Sequence, residues 1–306
     1  MPICGRPLGL EFDSNGDLYI ADAYKGLMKL DFNKRSLETL TNQVNGVRLA
    51  FTNSLAIAED VDEDGNVVSR KIYFTDSSRH QLHNLAAEMF EAGPYGRVLE
   101  YDTATRTTRV VATGLHFANG LVITPDQRWV IVSELTRARL TKVGIAPDNY
   151  GVLQPFSTNL PILPDNVTWG PIDEETGEAT ELWVAGTVPR YPGHFSLFDF
   201  LASYPKLRKV LAKIINTTIL GYFTPKYGGV LRIDAATGEV LELLEDTTGR
   251  VKYLAEAKYH NGYMYLGSYR GEVRQVSRIP WDPKTRSTPL LDASSTTKSS
   301  GTRQEL

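Results

Sequence analysis

The chain has 306 residues, a formal net charge of -3 and a sequence pI near 6.0, with 42% hydrophobic and 23% charged residues. That length and apolar content suit one large domain or two ordinary ones with a real core, and the weak negative charge gives no general electrostatic case for nucleic acid or an anionic membrane. The single cysteine, Cys4, closes no internal disulfide, no run of about 18 apolar residues is present to span a bilayer, and Met1-Pro2-Ile3-Cys4 reads as leading straight into a strand rather than as a signal peptide.

Taken in order, the chain repeats one pattern. A short apolar strand, Leu8–Phe12, precedes a turn cluster, Asp13–Asp17, and a second strand that ends in an acid, Leu18–Asp22. The pair recurs at Ser54–Ile57 and Lys71–Asp76, at Gly120–Ile123 and Trp129–Glu134, at Asn166–Trp169 and Glu181–Gly186, and at Tyr253–Ala257 and Gly262–Ser268. Asp62–Asn66, Pro125–Arg128, residues 173–177 and His260–Gly262 separate the partners, which is a hairpin signal. A third strand is predicted at Gly26–Asp31, Gly96–Asp102, Gly229–Asp234 and Gly271–Val276, and a fourth at Thr107–Ala112 and Glu239–Leu244. Aligning the second strands sets Tyr19, Tyr73, Ile131, Trp183 and Tyr265 in register. Four antiparallel strands per unit, at intervals of roughly 50 residues, are what a β-propeller blade requires. The predicted fold is therefore all-β: a β-propeller over 1–291 with five legible blades.

The long interval between Trp183 and Tyr265 holds an insertion, 188–228. Phe195–Leu201 and Leu207–Ile215 carry helical apolar spacing, the second with Lys206, Arg208, Lys209 and Lys213 on its polar side. The bland expectation is a helix packed across the propeller face. The sharper one is a lid, or a basic amphipathic surface that touches a membrane. A shorter helix is predicted over Leu82–Phe90, and residues 292–306 are polar enough to be predicted disordered. Propellers close by pairing a strand from one terminus into the blade at the other, so a chain whose first unit begins almost at Met1 reads as starting one blade late.

Three stretches set a short oxygen-bearing side chain at the mouth of an apolar strand. They are Phe51-Thr52-Asn53, His116-Phe117-Ala118-Asn119-Gly120 and Leu163-Pro164-Asp165-Asn166; the second reads as a turn that delivers Asn119. Inner strands of a propeller surround a tunnel, so Asn53, Asn119, Asp165 and Asn166 are predicted to converge on the axis. Hard oxygens of this kind suit Ca²⁺, which takes six to eight of them, and there is no Cys/His set for zinc. The competing reading is that Asn-Gly and Asp-Asn only make turns. His80, His83, His116, His194 and His260 give no legible Ser-His-Asp triad. No Gly-x-Ser-x-Gly elbow, phosphate loop or paired-cysteine motif is present, so no catalytic residue is assigned. Asn166-Val167-Thr168 and Asn216-Thr217-Thr218 fit the glycosylation acceptor pattern.

Cys4-Gly5-Arg6-Pro7-Leu8-Gly9, Ala21–Leu27, Ile72–Ser78, Gly96–Asp102 and Tyr265–Ser268 resemble the strictosidine synthase-like family over essentially Cys4–Arg278. Phe117-Ala118-Asn119-Gly120 and Asp165-Asn166-Val167 also resemble the calcium-ligand motifs of the related paraoxonases and gluconolactonases. The resemblance implies a six-bladed propeller with calcium in the tunnel and arylesterase- or lactonase-type hydrolysis. It implies further that the family's first blade, which supplies an acidic ligand, lies upstream, together with a membrane anchor or secretory signal. True strictosidine synthases carry a catalytic glutamate where this chain has Ala255. Strand alternation predicts that the neighbouring Glu256 points the other way, which disfavours amine–aldehyde condensation. The same comparison pairs the Cys4 position with that of Ala23, leaving Cys4 unpaired. The expected function is a calcium-dependent hydrolase of aryl esters or lactones. The alternatives are a carbon–nitrogen-bond-forming synthase and a non-catalytic propeller peripheral to a membrane through 188–228.

Overall fold

The computed structural model describes residues 4–173, 176–246, 248–270 and 276–284, and the backbone of 303–305. Five sheets follow one another along the chain as blades of a β-propeller. Blade I holds Pro7–Phe12, Leu18–Asp22, Gly26–Asp31 and Ser36–Thr41, and blade II holds Thr52–Val61, Val67–Asp76, Gly96–Asp102 and Thr107–Leu115. Blade III comprises Ala118–Ile123, Trp129–Glu134, Arg139–Gly144 and Leu153–Ser157. Blade IV comprises Ile162–Trp169, Glu181–Pro189, Gly228–Asp234 and Val240–Asp246, with Arg303–Glu305 added in parallel on its last strand. Blade V shows Leu254–His260, Tyr263–Ser268 and Ser277–Pro280. The strand predicted at Gly271–Val276 lies outside the described residues except for Val276, and of the tail 292–306 only Arg303–Glu305 is described. The sixth blade that the resemblance implies is not among the described residues.

The first strand of each blade is innermost, packing on the first strand of the next from blade I to blade V. The second strands explain why their sequences are apolar at successive positions. Val130 and Val132 face a core shared with blade II, and Ile131 faces one shared with blade IV; a sheet covered on both faces has no polar side. The predicted register holds. Tyr19, Tyr73, Ile131, Trp183 and Tyr265 each lie three residues before the residue (Asp22, Asp76, Glu134, Gly186 and Ser268) that pairs with the inner strand just ahead of a register shift. The first four point toward the following blade, where Trp183 meets Trp281 at 5.1 Å between ring centroids. On the face of blade I away from blade II, Leu10, Phe12 and Leu37 remain exposed.

The acids that end the second strands are structural. Asp76 Oδ1 accepts the amides of Ala50 and Phe51 while Arg97 donates to its Oδ2 at 2.6 Å. Glu134 repeats the device one blade on, accepting the His116 amide at 2.8 Å and the Arg139 Nε at 2.6 Å. Each fixes the chain that enters an inner strand, and so fixes where that strand's first side chains aim.

Three helices replace the two predicted in the insertion: α2 (Leu197–Ala202), α3 (Pro205–Ile214) and α4 (Thr217–Phe223). They lie with the earlier α1 (Leu85–Glu91) over the ends of blades III and IV, burying Leu201 and Leu220 beside Met89 and Phe90. Asn216, in the second glycosylation pattern, caps α4 by accepting the Ile219 amide at 2.9 Å. No helix among the described residues is long and apolar enough to cross a membrane.

Candidate functional site

Every inner strand is kinked at one equivalent place. Thr52 pairs with Asp76 and Leu55 with Phe74; Ala118 pairs with Glu134 and Leu121 with Val132; Pro164 pairs with Gly186 and Val167 with Val184. Each inner strand has one residue more than its partner, a β-bulge, which bends the strand and re-aims a side chain. Blades I and V shift at Leu8 and Ala255. Counted from the residue before each bulge, Asn53, Asn119, Asp165, Ala255 and Leu8 are equivalent, and Asn166 stands one position further on, with Gly120 and Glu256. The expected turn at Asn119 is thus a bulged strand. The chain reverses earlier, at Phe117, which takes a left-handed φ of 55° and packs edge-on against Phe51.

Gly120 is what lets blades III and IV meet. A Cβ there would lie 2.4 Å from the Asn166 Cα. The close approach brings the Asn119 Nδ2 to Asp165 Oδ1, to which it donates at 2.7 Å. Hydroxyls from the preceding blade hold both backbones. Thr75 Oγ1 donates to the Asn119 carbonyl at 2.9 Å, and Ser133 Oγ donates to that of Asp165. Asn53 is tied in through Ser77, whose Oγ accepts from Asn53 Nδ2 at 3.0 Å and donates to the Ala118 carbonyl at 2.6 Å. Thr75 and Ser133 sit one residue before the terminal acid of their strands. That recurrence was visible in the sequence but carried no functional reading.

The electrostatics single out Asp165. Burial, with a smaller push from the Glu256 charge, lifts its carboxyl to about 7 against the pull of the Asn119 hydrogen bond. Glu256 therefore lies within electrostatic reach of Asp165, which simple alternation did not predict; the bulge at Ala255 breaks the alternation. Tyr269, bonded to Thr187 and Thr224, is pushed up to about 12 by burial and then by the Asp165 charge. Asn119 Oδ1 is buried with no hydrogen-bond partner, a cost of roughly 1–3 kcal/mol if it stays so. Among the described residues no three His, Cys, Asp or Glu converge as a metal site, so a cation here would need amide oxygens beside the Asp165 carboxylate. Asn119 and Asp165 are brought together; Asn53 joins through Ser77, and Asn166 through its backbone against Gly120.

A polar cluster on the bulged inner strands, at one end of the ring, defines a propeller with its candidate site on the axis. The chain belongs to the strictosidine synthase-like family. Residues 60–146 match the strictosidine synthase family profile. The adipocyte plasma membrane-associated protein of Salmo salar is 38% identical over 274 residues, covering 88% of this chain and 62% of the relative. Protein strictosidine synthase-like 3 of Arabidopsis thaliana is 35% identical over 285 residues, covering 91% and 67%. The chain thus spans about three-fifths of the length of the adipocyte relatives it matches. Among solved structures, a gluconolactonase from Xanthomonas campestris superposes with a TM-score of 0.53 at 15% identity, over 86% of this chain and 69% of that one. At that identity the likeness concerns the fold.

Proposed function

We propose that the chain acts as a calcium-dependent hydrolase of aryl esters or lactones. The observation that carries the reading is the buried, partnerless Asn119 Oδ1 beside Asp165: an oxygen of this kind at a tunnel mouth suits a hard cation. Asn119 and Asp165 would hold the ion, with Asn53, Asn166 and Glu256 at the neighbouring positions. When bound it supplies Lewis-acid polarisation of a carbonyl and stabilisation of the oxyanion. The chain's own part is to fix these oxygens through Thr75, Ser77 and Ser133, and the Asp165 carboxyl would be held in its ionised form by a bound cation. The gluconolactonase likeness supports the reading at the level of fold. Ala255, in register with Asn119 and Asp165, argues against a synthase that needs a glutamate there. Hydrolysis of phenyl acetate, measured with calcium, with chelator and in Asn119→Ala, tests the proposal. Activity that ignores all three conditions would sink it, and a protein inert under every condition would favour the binding propeller.

A second reading, peripheral membrane contact through the insertion, has its own observation. On α3, Leu207, Val210 and Ile214 are exposed on one side, bordered by exposed Lys206, Lys209 and Lys213. On α4, Ile219, Tyr222 and Phe223 share one face, and Tyr222 is 83% exposed. An apolar strip beside a lysine stripe suits an anionic lipid surface, and the matched relatives carry the name "plasma membrane-associated". The expected result is co-sedimentation with phosphatidylserine vesicles, lost in Tyr222→Ser/Phe223→Ser; equal recovery with the double variant would reject the reading.

A further inference from the structure

Between α1, α2 and α3 and the ends of blades III and IV lies a cavity of about 330 Å³, within the range of small-ligand pockets. Met89, Leu163 and Phe198 form its apolar walls, and three arginines line it: Arg137, Arg190 and Arg208. Arg190 is occupied. Its Nε and Nη2 grip Asp199 at 2.9 and 2.7 Å, and its Nη1 donates to the Leu160 carbonyl at 2.8 Å. The other two form no ion pair of this kind. Arg208 Nε donates to the Phe90 carbonyl at 2.8 Å. Among the described residues no carboxylate pairs with Arg208 or Arg137.

Thr136, which also lines the cavity, has a buried hydroxyl without a partner. Burial and then the Arg137 charge hold Arg208 below its ordinary range, and the same two causes lower His116 nearby. Two guanidiniums near each other without a counter-ion are unfavourable in a partly desolvated site. Their planar forks match an oxyanion bidentately.

We propose that this cavity binds an organic oxyanion, a carboxylate or phosphate monoester on a short apolar chain. The head lies between Arg137 and Arg208 within reach of the Thr136 hydroxyl, and the chain lies against Met89, Leu163 and Phe198. Binding requires neither calcium nor turnover, so it stands apart from the hydrolase reading.

Calorimetric titration of the full chain in low salt with chelator present tests it, using hexanoate, hexyl phosphate, hexanamide and inorganic phosphate. Saturable binding of hexanoate or hexyl phosphate is expected, and the tighter of the two identifies the head group. Arg137→Gln, whose side chain stands at the exposed rim, should weaken that binding roughly tenfold to a hundredfold, the loss of one charged hydrogen-bonding group. Arg208→Lys, which keeps the charge but loses the fork, should weaken it as well, with Arg106→Gln as an unaffected surface control. The proposal is overturned if neither amphiphilic anion binds, if hexanamide or inorganic phosphate binds as tightly, or if Arg137→Gln binds like the wild type.

Discussion

Glu88 offers a test in which the folded structure makes a definite quantitative demand. The side chain on α1 is fully buried. Its Oε2 accepts the Ser78 hydroxyl, which itself accepts the His80 amide at 2.9 Å, while Oε1 is buried with no partner. Burial, partly offset by Ser78, lifts the carboxyl from 4.5 to about 7. The folded protein therefore holds the proton between about pH 4.5 and 7 where the unfolded chain has released it. Stability is then fully present below the unfolded value and is lost as pH rises through the folded one. A lift of that size corresponds to about 3 kcal/mol at about 1.4 kcal/mol for each pH unit. Glu88→Gln keeps the shape and an oxygen for Ser78 but cannot ionise. Thermal melts of both proteins from pH 4 to 8.5 should start together and separate toward high pH, with the variant ahead by several degrees, up to about 10 °C. Glu11, also lifted to about 7 by burial, titrates in the same window, so the difference between the two proteins, not either curve alone, isolates Glu88. A gap of constant size across the range, or a variant less stable at pH 8, would refute the assignment.

Three further outcomes follow from the site. Calcium at a hundred times its dissociation constant should add about 2.7 kcal/mol of stability, seen as a higher melting temperature that chelator reverses and Asn119→Ala abolishes. Gly120→Ala drives a methyl into the Asn166 backbone and should cost about 1–3 kcal/mol by chemical denaturation while erasing the calcium response, because Asn119 no longer reaches Asp165. Glu134→Ala strands Arg139 and the His116 amide. Its cost should be about 3 kcal/mol, the low end for a broken buried pair, since Arg139 keeps some solvent contact.

The blades were legible because a four-strand unit buried on both faces writes itself repeatedly into the sequence, and the alignment through Tyr19, Tyr73, Ile131, Trp183 and Tyr265 follows from that. Strands of blade III such as Leu153–Ser157 are not legible, because an exposed outer strand carries little apolar signal. Nor is helix α4, because it is short and follows α3 after only Ile215 and Asn216. At the site, the residue types were legible and their geometry was not. A bulge leaves no local mark in composition, so Asn119-Gly120 looked like a turn. The glycine in fact serves a contact with a strand 46 residues further on. The unpaired arginines of the helical cavity were not legible either, since only the tertiary structure sets Arg137 of blade III beside Arg208 of the insertion.

The bulge register also makes Ala255 informative. Of the five equivalent positions, Asn53, Asn119 and Asp165 carry a side-chain oxygen, and Leu8 and Ala255 do not. Glu256, one position on, sits near enough for its charge to act on Asp165, yet it occupies the position that Gly120 and Asn166 hold in blades III and IV, where the backbones pack. On the cation reading, Ala255→Glu extends the series with a second acid aimed as Asn119 and Asp165 are. Calcium affinity is tuned by the number of charged ligands, so calcium should bind at least about tenfold tighter, measured by calorimetry, while Glu256→Gln should weaken it less than Asn119→Ala does. An Ala255→Glu protein that folds normally and binds calcium no better than the wild type would mean that position 255 does not share an ion with Asn119 and Asp165, and that those two form a structural clasp between blades III and IV.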